Sequence, residues 1–256
     1  MPLSDHFLET SSQVRNWGRW GADDQLGTLN LITPEVVLAA RDCIRHGRTI
    51  PLAVPLEHDG IQVGFVPGRD NPTMALHALN EGMDPDDDPD SFHTSDDHVS
   101  LGLQAGTHWD GLGHVSYSGK MYNGYDASTI TAEDGATRCG IQHLRSVCSR
   151  GVLLDVARAR GVDLLDCPYA ITAADLDAAA EMGGVEVRPG DIVLVRTGRM
   201  SLYHSGGGMA YCLGPGQDGS NAGLSLSTVP WLHAHNVAAV ANDTLAFEVY
   251  PSEADT

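Results

Sequence analysis

The chain is short of basic residues and of long apolar runs. Its 256 residues include 15 Lys and Arg against 34 Asp and Glu, a formal net charge of −19. Such a surface repels nucleic-acid phosphates and anionic lipid head groups, so we expect neither partner. No apolar run approaches the roughly 18 residues of a membrane span, and the opening sequence MPLSDHFLETSS lacks a signal-peptide pattern. We therefore expect a cytoplasmic protein.

Paired cysteines and a serine-nucleophile motif are also lacking. The five cysteines lie at wide spacings without a C-x-x-C pair, which predicts reduced, mostly buried thiols rather than a zinc or redox site. The nearest approach to a G-x-S-x-G elbow is GLSLS at 223–227, which lacks the second glycine. A serine hydrolase mechanism is therefore disfavoured.

What is present indicates an α/β fold. In the first half we predict a helix from Pro34 to just before Gly47, capped by Thr33, then a strand at 48–57 and an acidic loop at 83–98. In the second half strands alternate with helices: strands at 151–157, 191–198 and 237–243, a helix capped by Thr172 and stopped by Gly183, and a helix capped by Ser227. Such alternation is typical of α/β proteins. With no repeat or linker, we expect one domain over residues 1–256.

The segment QAGTHWDGLGH, residues 104–114, carries the most chemistry. In an extended strand Gln104, His108 and Asp110 would share one face, and the glycines after Asp110 could turn His114 back to the same pocket. Imidazole and carboxylate suit zinc or manganese, and three protein ligands leave a position for water. A tight turn in which a histidine is hydrogen-bonded to an aspartate explains the same residues, so both interpretations stay open at this point.

These residues also carry a family resemblance. QAGTHWDGLGH resembles the H-x-G-T-H-x-D-x-x-x-H signature of the metal-dependent cyclase family, which includes bacterial kynurenine formamidase, isatin hydrolase and zinc-dependent trans-dienelactone hydrolases. The resemblance extends over most of the chain and includes NWGRWGADDQLGTLNLITPE, MYNGYDASTITAEDGATRCGI, RGVLLDVAR, RPGDIVLVRTG and GLSLSTVPWL…VAAVANDTLAFEVYP. It implies an α/β fold in which a barrel-like pair of sheets is flanked by helices, usually in a homodimer or higher homo-oligomer.

The resemblance also implies site residues and an activity. His108 and Asp110 match metal ligands, and His114 matches a histidine that acts as ligand or proton carrier. Gln104 stands where the family has its first histidine ligand; its amide oxygen can bind a divalent ion, though more weakly for zinc than imidazole does. With glutamine at this position, the motif resembles that of the dienelactone hydrolase branch, and this resemblance favours a site that still binds metal. Only eight residues follow Glu248, so we do not expect a second metal, and we expect a C-terminal segment of the family pattern to lie outside this sequence.

The sequence thus predicts a metal-dependent hydrolase. A zinc or manganese ion held by Gln104, His108, Asp110 and His114 would act on a small cyclic ester, amide or imide, with His114 carrying protons. The replacement of a histidine by Gln104 leaves one alternative, a cyclase-fold protein that binds a small molecule but has lost catalysis.

Overall fold

The computed structural model describes residues 3–83, 86 and 88–253. Its helices are α1 (Asp5–Val14), α2 (Pro34–Arg41), α3 (Val156–Ala159), α4 (Ala173–Gly183), α5 (Met200–Leu213) and α6 (Thr228–Ala234). Its strands are β1 (Thr73–Gly82), β2 (His93–Ser100), β3 (Ile130–Thr131), β4 (Gly135–Ala136), β5 (Gly151–Asp155), β6 (Ala170–Ile171), β7 (Ile192–Arg196), β8 (Gly223–Leu224) and β9 (Ala239–Asn242). Short 3₁₀ helices lie at Gly27–Leu31, Leu112–His114, Tyr122–Gly124, Ala127–Thr129 and Ile141–His143.

The described chain divides into two compact units. The first draws on 1–49, 109–201 and 213–256, and the second on 50–108 and 202–212. A single domain over 1–256 therefore stays a prediction, and its outermost residues at each end lie outside the described ranges.

The first unit is built on a parallel three-stranded sheet with the order β5-β7-β9. Alternate side chains of β5 and β7 point into the core: Leu154 and Val193 are fully buried, and Val152 and Val195 nearly so. Parallel strands need crossover connections, and here α3 and α4 lie between β5 and β7. The three strands and the alternation of strands and helices confirm the sequence prediction for this half of the chain.

Helix ends in the first unit follow local chemistry. The Thr172 hydroxyl accepts the Asp175 N–H, and the Asp175 carboxylate accepts the Thr172 N–H, which forms a capping box at the start of α4. The predicted stop at Gly183 is one residue early, because Gly184 holds the left-handed conformation (φ 60°). Ser227 occupies the N-cap position of α6, but its hydroxyl bonds Ser225 Oγ rather than a helix N–H.

Helix α2 begins as predicted and ends early. The Thr33 hydroxyl accepts the Val36 N–H, and Pro34 takes the first position. The helix stops at Arg41 instead of continuing toward Gly47. No side chain of α2 is fully buried, so little packing supports a longer helix.

The second unit contains an antiparallel hairpin that the sequence analysis missed. Strands β1 and β2 pair from Thr73↔Ser100 to Gly82↔His93, with register shifts between Leu76 and Glu81. The prediction of a loop at 83–98 is wrong from His93 onward, while residues 84, 85 and 87 of it lie outside the described residues. Strand β2 could not be recognised from the sequence. Neither of its faces is buried, so its sequence need not alternate apolar and polar residues, and its charged residues resemble those of a loop. The strand predicted at 48–57 is absent, and that segment is exposed and irregular.

The fold is mixed α/β, as predicted. The sheets of the described residues have two, two, three and two strands and form no closed barrel, so the barrel-like pair of sheets stays unconfirmed. Within 3–83, 86 and 88–253, none of the helices has both the length and the hydropathy needed to cross a bilayer.

Candidate metal centre

The backbone around Gln104 is a turn, so the strand predicted for residues 104–110 is wrong. Residues 103–107 form a turn and bends, and the Ala105 N–H donates to the Gly102 carbonyl at 2.9 Å. The Gln62 side chain donates to the Ala105 carbonyl at 3.0 Å and to the Gln104 carbonyl at 3.4 Å. A side chain from elsewhere in the second unit thus satisfies carbonyls that a partner strand would otherwise bind. Alternation of faces therefore does not apply to this segment.

Gln104 and His108 belong to the second unit. Gln104 is half-buried and His108 is exposed. The His108 Nδ1 atom lies 2.8 Å from the Gly106 carbonyl oxygen. Because a carbonyl only accepts, Nδ1 carries the proton in this bond, and the lone pair of the neutral ring is on Nε2. That tautomer is the one in which Nε2 can bind a metal.

Thr107 supports the same turn. Its hydroxyl accepts the Val54 N–H at 2.9 Å, so it supports the turn by a hydrogen bond. The neighbouring Trp109 is 44% exposed.

Asp110 and His114 belong to the first unit and are in contact. Asp110 Oδ1 lies 2.7 Å from His114 Nδ1, and both side chains are about half exposed, at 54% and 44%. A carboxylate at this distance from Nδ1 favours the tautomer with the proton on Nδ1 and the lone pair on Nε2. The pair has the arrangement in which a carboxylate orients an imidazole for proton transfer.

Close packing of the glycines sets the position of His114. The Gly113 N–H donates to the Cys139 carbonyl at 2.8 Å, and the His114 N–H donates to the Gly111 carbonyl at 3.0 Å. A Cβ atom on Gly111 would lie 2.8 Å from the Ile141 nitrogen. Only glycine allows the chain to approach residues 138–141 so closely, which explains the GLG sequence that precedes His114.

The structure places two of the four predicted ligands in each unit. Asp110 and His114 lie in the first unit and are in contact, and Gln104 and His108 lie in the second. Over the described ranges, no group of three or more His, Cys, Asp or Glu side chains is placed to hold a metal ion. The donor types suit zinc or manganese. The ligand set therefore stays a prediction.

A cavity of about 210 Å³ in the first unit adjoins Asp110. Its walls come from residues 25–29, 109–112, 139–144 and 238–240. Most of the wall is apolar, and the side chains of Leu26, Leu29, Leu112, Ile141, Leu144 and Val240 contribute to it. The candidate Asp110–His114 pair thus borders a space that a small molecule can enter.

Next to this cavity lies a polar network that the sequence analysis missed. The Asp24 carboxylate accepts hydrogen bonds from Asn30, the Tyr122 hydroxyl and the N–H groups of Gly27 and Leu26. Burial raises the pKa of Asp24, but these donors outweigh burial and hold the pKa below its usual value. Burial and the Asp24 charge raise the pKa of Tyr122. The signal was available, because both segments carry the family resemblance, but their contact was not visible in the sequence.

Three other residues have side chains that could take part in chemistry: Asp243, Glu248 and Cys139. Asp243 accepts the N–H groups of Thr197 and Gly198 and the Thr197 hydroxyl, so it holds the chain where β7 ends. Glu248 is exposed. Burial, followed by the Asp24 charge, raises the pKa of the Cys139 thiol, which disfavours a thiolate nucleophile there. Two of the five cysteines are buried, fewer than expected, and all five are free thiols.

Comparisons with known proteins bear on the family. A crystal structure described as that of a novel cyclase is similar over 92% of this chain and 79% of that chain, with 34% identity and a TM-score of 0.80. Isatin hydrolase A from Ralstonia solanacearum aligns at 20% identity over 85% of this chain and 75% of its own, with a TM-score of 0.49. An isatin hydrolase bound to the product analogue thioisatinate aligns at 18% identity over 77% and 66%, with a TM-score of 0.43. A search of curated proteins finds no match.

The two isatin hydrolases are too distant to inform the site. The novel cyclase structure, in contrast, supports the mixed α/β fold over nearly the whole chain. The family model named Cyclase matches residues 19–249, which include the QAGTHWDGLGH segment and the segments that line the cavity. The chain therefore belongs to the cyclase family.

Proposed function

We propose that this protein hydrolyses a small cyclic ester, amide or imide, with water as the nucleophile. The observation that carries the proposal is the Asp110–His114 contact, with 2.7 Å between Oδ1 and Nδ1, which lies within the family motif and beside a cavity. Membership of the cyclase family and the absence of a G-x-S-x-G elbow both support a hydrolase that does not use a serine nucleophile.

In this proposal His114 moves the protons. Its Nε2 lone pair takes a proton from the attacking water, while Asp110 holds the ring in that tautomer and stabilises the imidazolium. The imidazolium then donates the proton to the leaving oxygen or nitrogen as the ring of the substrate opens. The partial exposure of both side chains gives water access to the pair.

A divalent zinc or manganese ion is proposed as cofactor, with Gln104, His108 and Asp110 as donors. His114 would be a fourth donor only in place of the proton transfer described above, because its Nε2 lone pair cannot serve both. The basis is the motif and the donor types, together with the Gly106 bond that leaves the lone pair of His108 on Nε2. No proton transfer above depends on the ion.

The test of hydrolysis is a panel of lactones, cyclic amides and cyclic imides. We expect the wild-type protein to open at least one of them and His114→Ala to lower kcat by about 100-fold or more, the usual contribution of a general base. His233→Ala, at an exposed histidine outside the site, is the matched control and should stay within about twofold. Retention of wild-type kcat by His114→Ala would refute the role of this residue.

The test of the cofactor is metal analysis of protein purified without chelator. We expect about one equivalent of zinc or manganese in the wild-type protein and loss of the metal in His108→Ala and Asp110→Asn, since each removes a donor. Asp243→Asn changes a carboxylate that holds the end of β7 and serves as a control for nonspecific losses. Wild-type metal content in either ligand variant would reject that ligand.

The second candidate function is a cyclase-fold protein that binds a small molecule without catalysis. One observation favours it: Gln104 stands where the family pattern has a histidine ligand. Less than a tenth of an equivalent of metal, with no hydrolysis across the panel, would establish this alternative over the first.

We also propose that the protein acts in the cytoplasm on a small-molecule substrate, as a homodimer or higher homo-oligomer, without nucleic-acid or membrane partners. The acidic composition supports the last point. Sedimentation equilibrium at several protein concentrations tests the oligomer: a single species of 27.2 kDa at all concentrations would reject it.

A further inference from the structure

We infer that the cavity beside Asp110 binds an apolar group about the size of one six-membered ring, carried by the substrate. That the ligand is the substrate rests on the proposed function. That it carries an apolar ring rests on the cavity walls. The basis of the inference is the volume of the cavity and the polarity of its walls, all within the first unit.

The volume fits a single ring. An engineered cavity of about 150 Å³ lined by Leu, Ile and Phe binds benzene in another protein. The cavity here has a volume of about 210 Å³, which leaves room for one ring and a small substituent. Cavities that hold drug-sized ligands are larger, about 300–1,000 Å³, so a larger ring system is not expected to enter fully.

The walls offer little to a polar group. The Thr28 hydroxyl donates to the Ala238 carbonyl at 2.9 Å, and Gln25 Oε1 accepts the Cys139 N–H at 2.9 Å. Two polar side chains in the wall are thus engaged within it, and the neighbouring surface is leucine, isoleucine and valine. An apolar group entering this space leaves water without breaking these hydrogen bonds.

The lining residues differ in exposure. Trp109, Leu112 and Ile141 are 44%, 40% and 41% exposed, whereas Cys139 and Ala238 are 1% and 2% exposed. Asp110 is itself a lining residue, so a substrate whose ring fills the apolar part of the cavity would have its polar group within reach of Asp110. The substrate class is therefore a small cyclic ester, amide or imide that carries one ring-sized apolar group.

The test uses fluorobenzene as the probe, observed by ¹⁹F NMR, with purified full-length protein. We expect saturable binding with a dissociation constant on the order of 1 mM, reasonable for a ligand of seven heavy atoms. Leu29→Trp fills the cavity and should weaken binding at least tenfold. Leu38→Trp makes the same change at an exposed residue of α2 outside the cavity and should leave binding within about twofold.

A second measurement does not depend on the folding of a variant. In methyl-labelled wild-type protein, fluorobenzene should shift the signals of Leu29, Ile141 and Val240, and leave those of Leu38 unchanged. Absence of saturable binding, or shifts confined to residues outside the cavity, would overturn the inference. Equal binding by Leu29→Trp and the wild-type protein would also overturn it.

The outcomes separate this inference from the proposed function. Fluorobenzene binding requires neither metal nor hydrolysis, so binding without any hydrolysis would retain the ring site and reject the hydrolase. Hydrolysis without ring binding would retain the hydrolase and reject the ring site. With both present, Leu29→Trp should raise KM for ring-bearing substrates more than it lowers kcat, because it removes space for the ring and leaves Asp110 and His114 unchanged.

Discussion

The parallel sheet of the first unit and the hairpin of the second are held together by different forces. In the sheet, Leu154 and Val193 are fully buried, and helix α4 packs against β5. In the hairpin, Met74 and Leu79 are 71% and 70% exposed, and strands β1 and β2 pair only with each other. Apolar burial stabilises the sheet, whereas backbone hydrogen bonds and local side-chain contacts hold the hairpin, and a two-stranded hairpin alone is marginally stable in water.

The largest expected effect comes from truncating a buried side chain of the sheet. Leu154→Ala removes a fully buried side chain and should lower the free energy of unfolding by about 2–5 kcal/mol. Leu79→Ala removes the same atoms from the hairpin and should cost less than about 1 kcal/mol, because the side chain is already hydrated. Urea denaturation of both variants measures the difference. Equal losses would contradict the contrast between the two regions.

A smaller effect tests whether the sheet also depends on a buried charge. Asp191, at the start of β7, is 2% exposed and accepts hydrogen bonds from the Arg150 guanidinium and the Arg188 N–H. Asp191→Ala should destabilise the protein by about 2–3 kcal/mol, less than for a fully buried pair because Arg150 retains some solvent contact.

The matched control for Asp191 is the exposed Arg188–Glu186 pair at 3.4 Å. Glu186→Ala should change the unfolding free energy by no more than about 0.5 kcal/mol, as is usual for a surface ion pair. If Asp191→Ala is as mild as Glu186→Ala in urea denaturation, the buried carboxylate does not contribute to the sheet.

The capping box of α4 predicts a pH-dependent effect of about 1 kcal/mol. Burial raises the pKa of Asp175, but hydrogen bonds from Thr172 and Tyr169 and the charge of Arg160 outweigh it, so the folded-state pKa lies below 3.8. The resulting stability is present at pH 7 and is lost as the pH falls through the folded-state pKa.

Asp175→Asn should therefore be less stable than the wild-type protein at pH 7, and the difference should shrink at low pH. Chemical denaturation at both pH values checks this. Leu79→Ala, which alters no titrating group, should show the same small loss at both. A difference for Asp175→Asn that does not change with pH would remove the carboxylate from the explanation.

The smallest expected effect is that of a polar residue on the hairpin. Leu79→Ser should change the unfolding free energy by less than about 0.5 kcal/mol at micromolar protein, since the side chain is 70% exposed. A loss that grows with protein concentration would instead show that a second copy covers the hairpin, and would sharpen the proposal of a homo-oligomer.

The same contrast explains what the sequence could predict. The strands of the sheet are short apolar runs bounded by turns, and α4 carries its own start signal in Thr172 and Asp175, so local patterns were sufficient. The hairpin was missed because exposed strands need no alternation of apolar residues. The helix after Pro34 was predicted too long. None of its side chains is fully buried, so little packing supports a longer helix, and packing cannot be predicted from a local sequence pattern.

For the candidate site, the sequence gives the residue types but not their supports. The Asp110 and His114 spacing was visible, and the structure brings the two side chains together. The support of Ala105 by Gln62, 43 positions away, and the contact of Asp24 with Tyr122, 98 positions away, are long-range pairings that no short pattern predicts. For that reason the extended strand assumed through Gln104 was wrong.

One residue, Asn123, governs how the loop at 16–25 would exchange its amide protons. Its side chain donates to the carbonyls of Gly21, Ala22 and Asp24, and its Oδ1 accepts the Gly18 N–H at 2.7 Å. A loop without regular structure normally exchanges quickly with deuterium. Here the Gly18 amide can exchange only when the Asn123 contact opens, so this loop and residues 122–124 would take up deuterium together, as one cooperative unit.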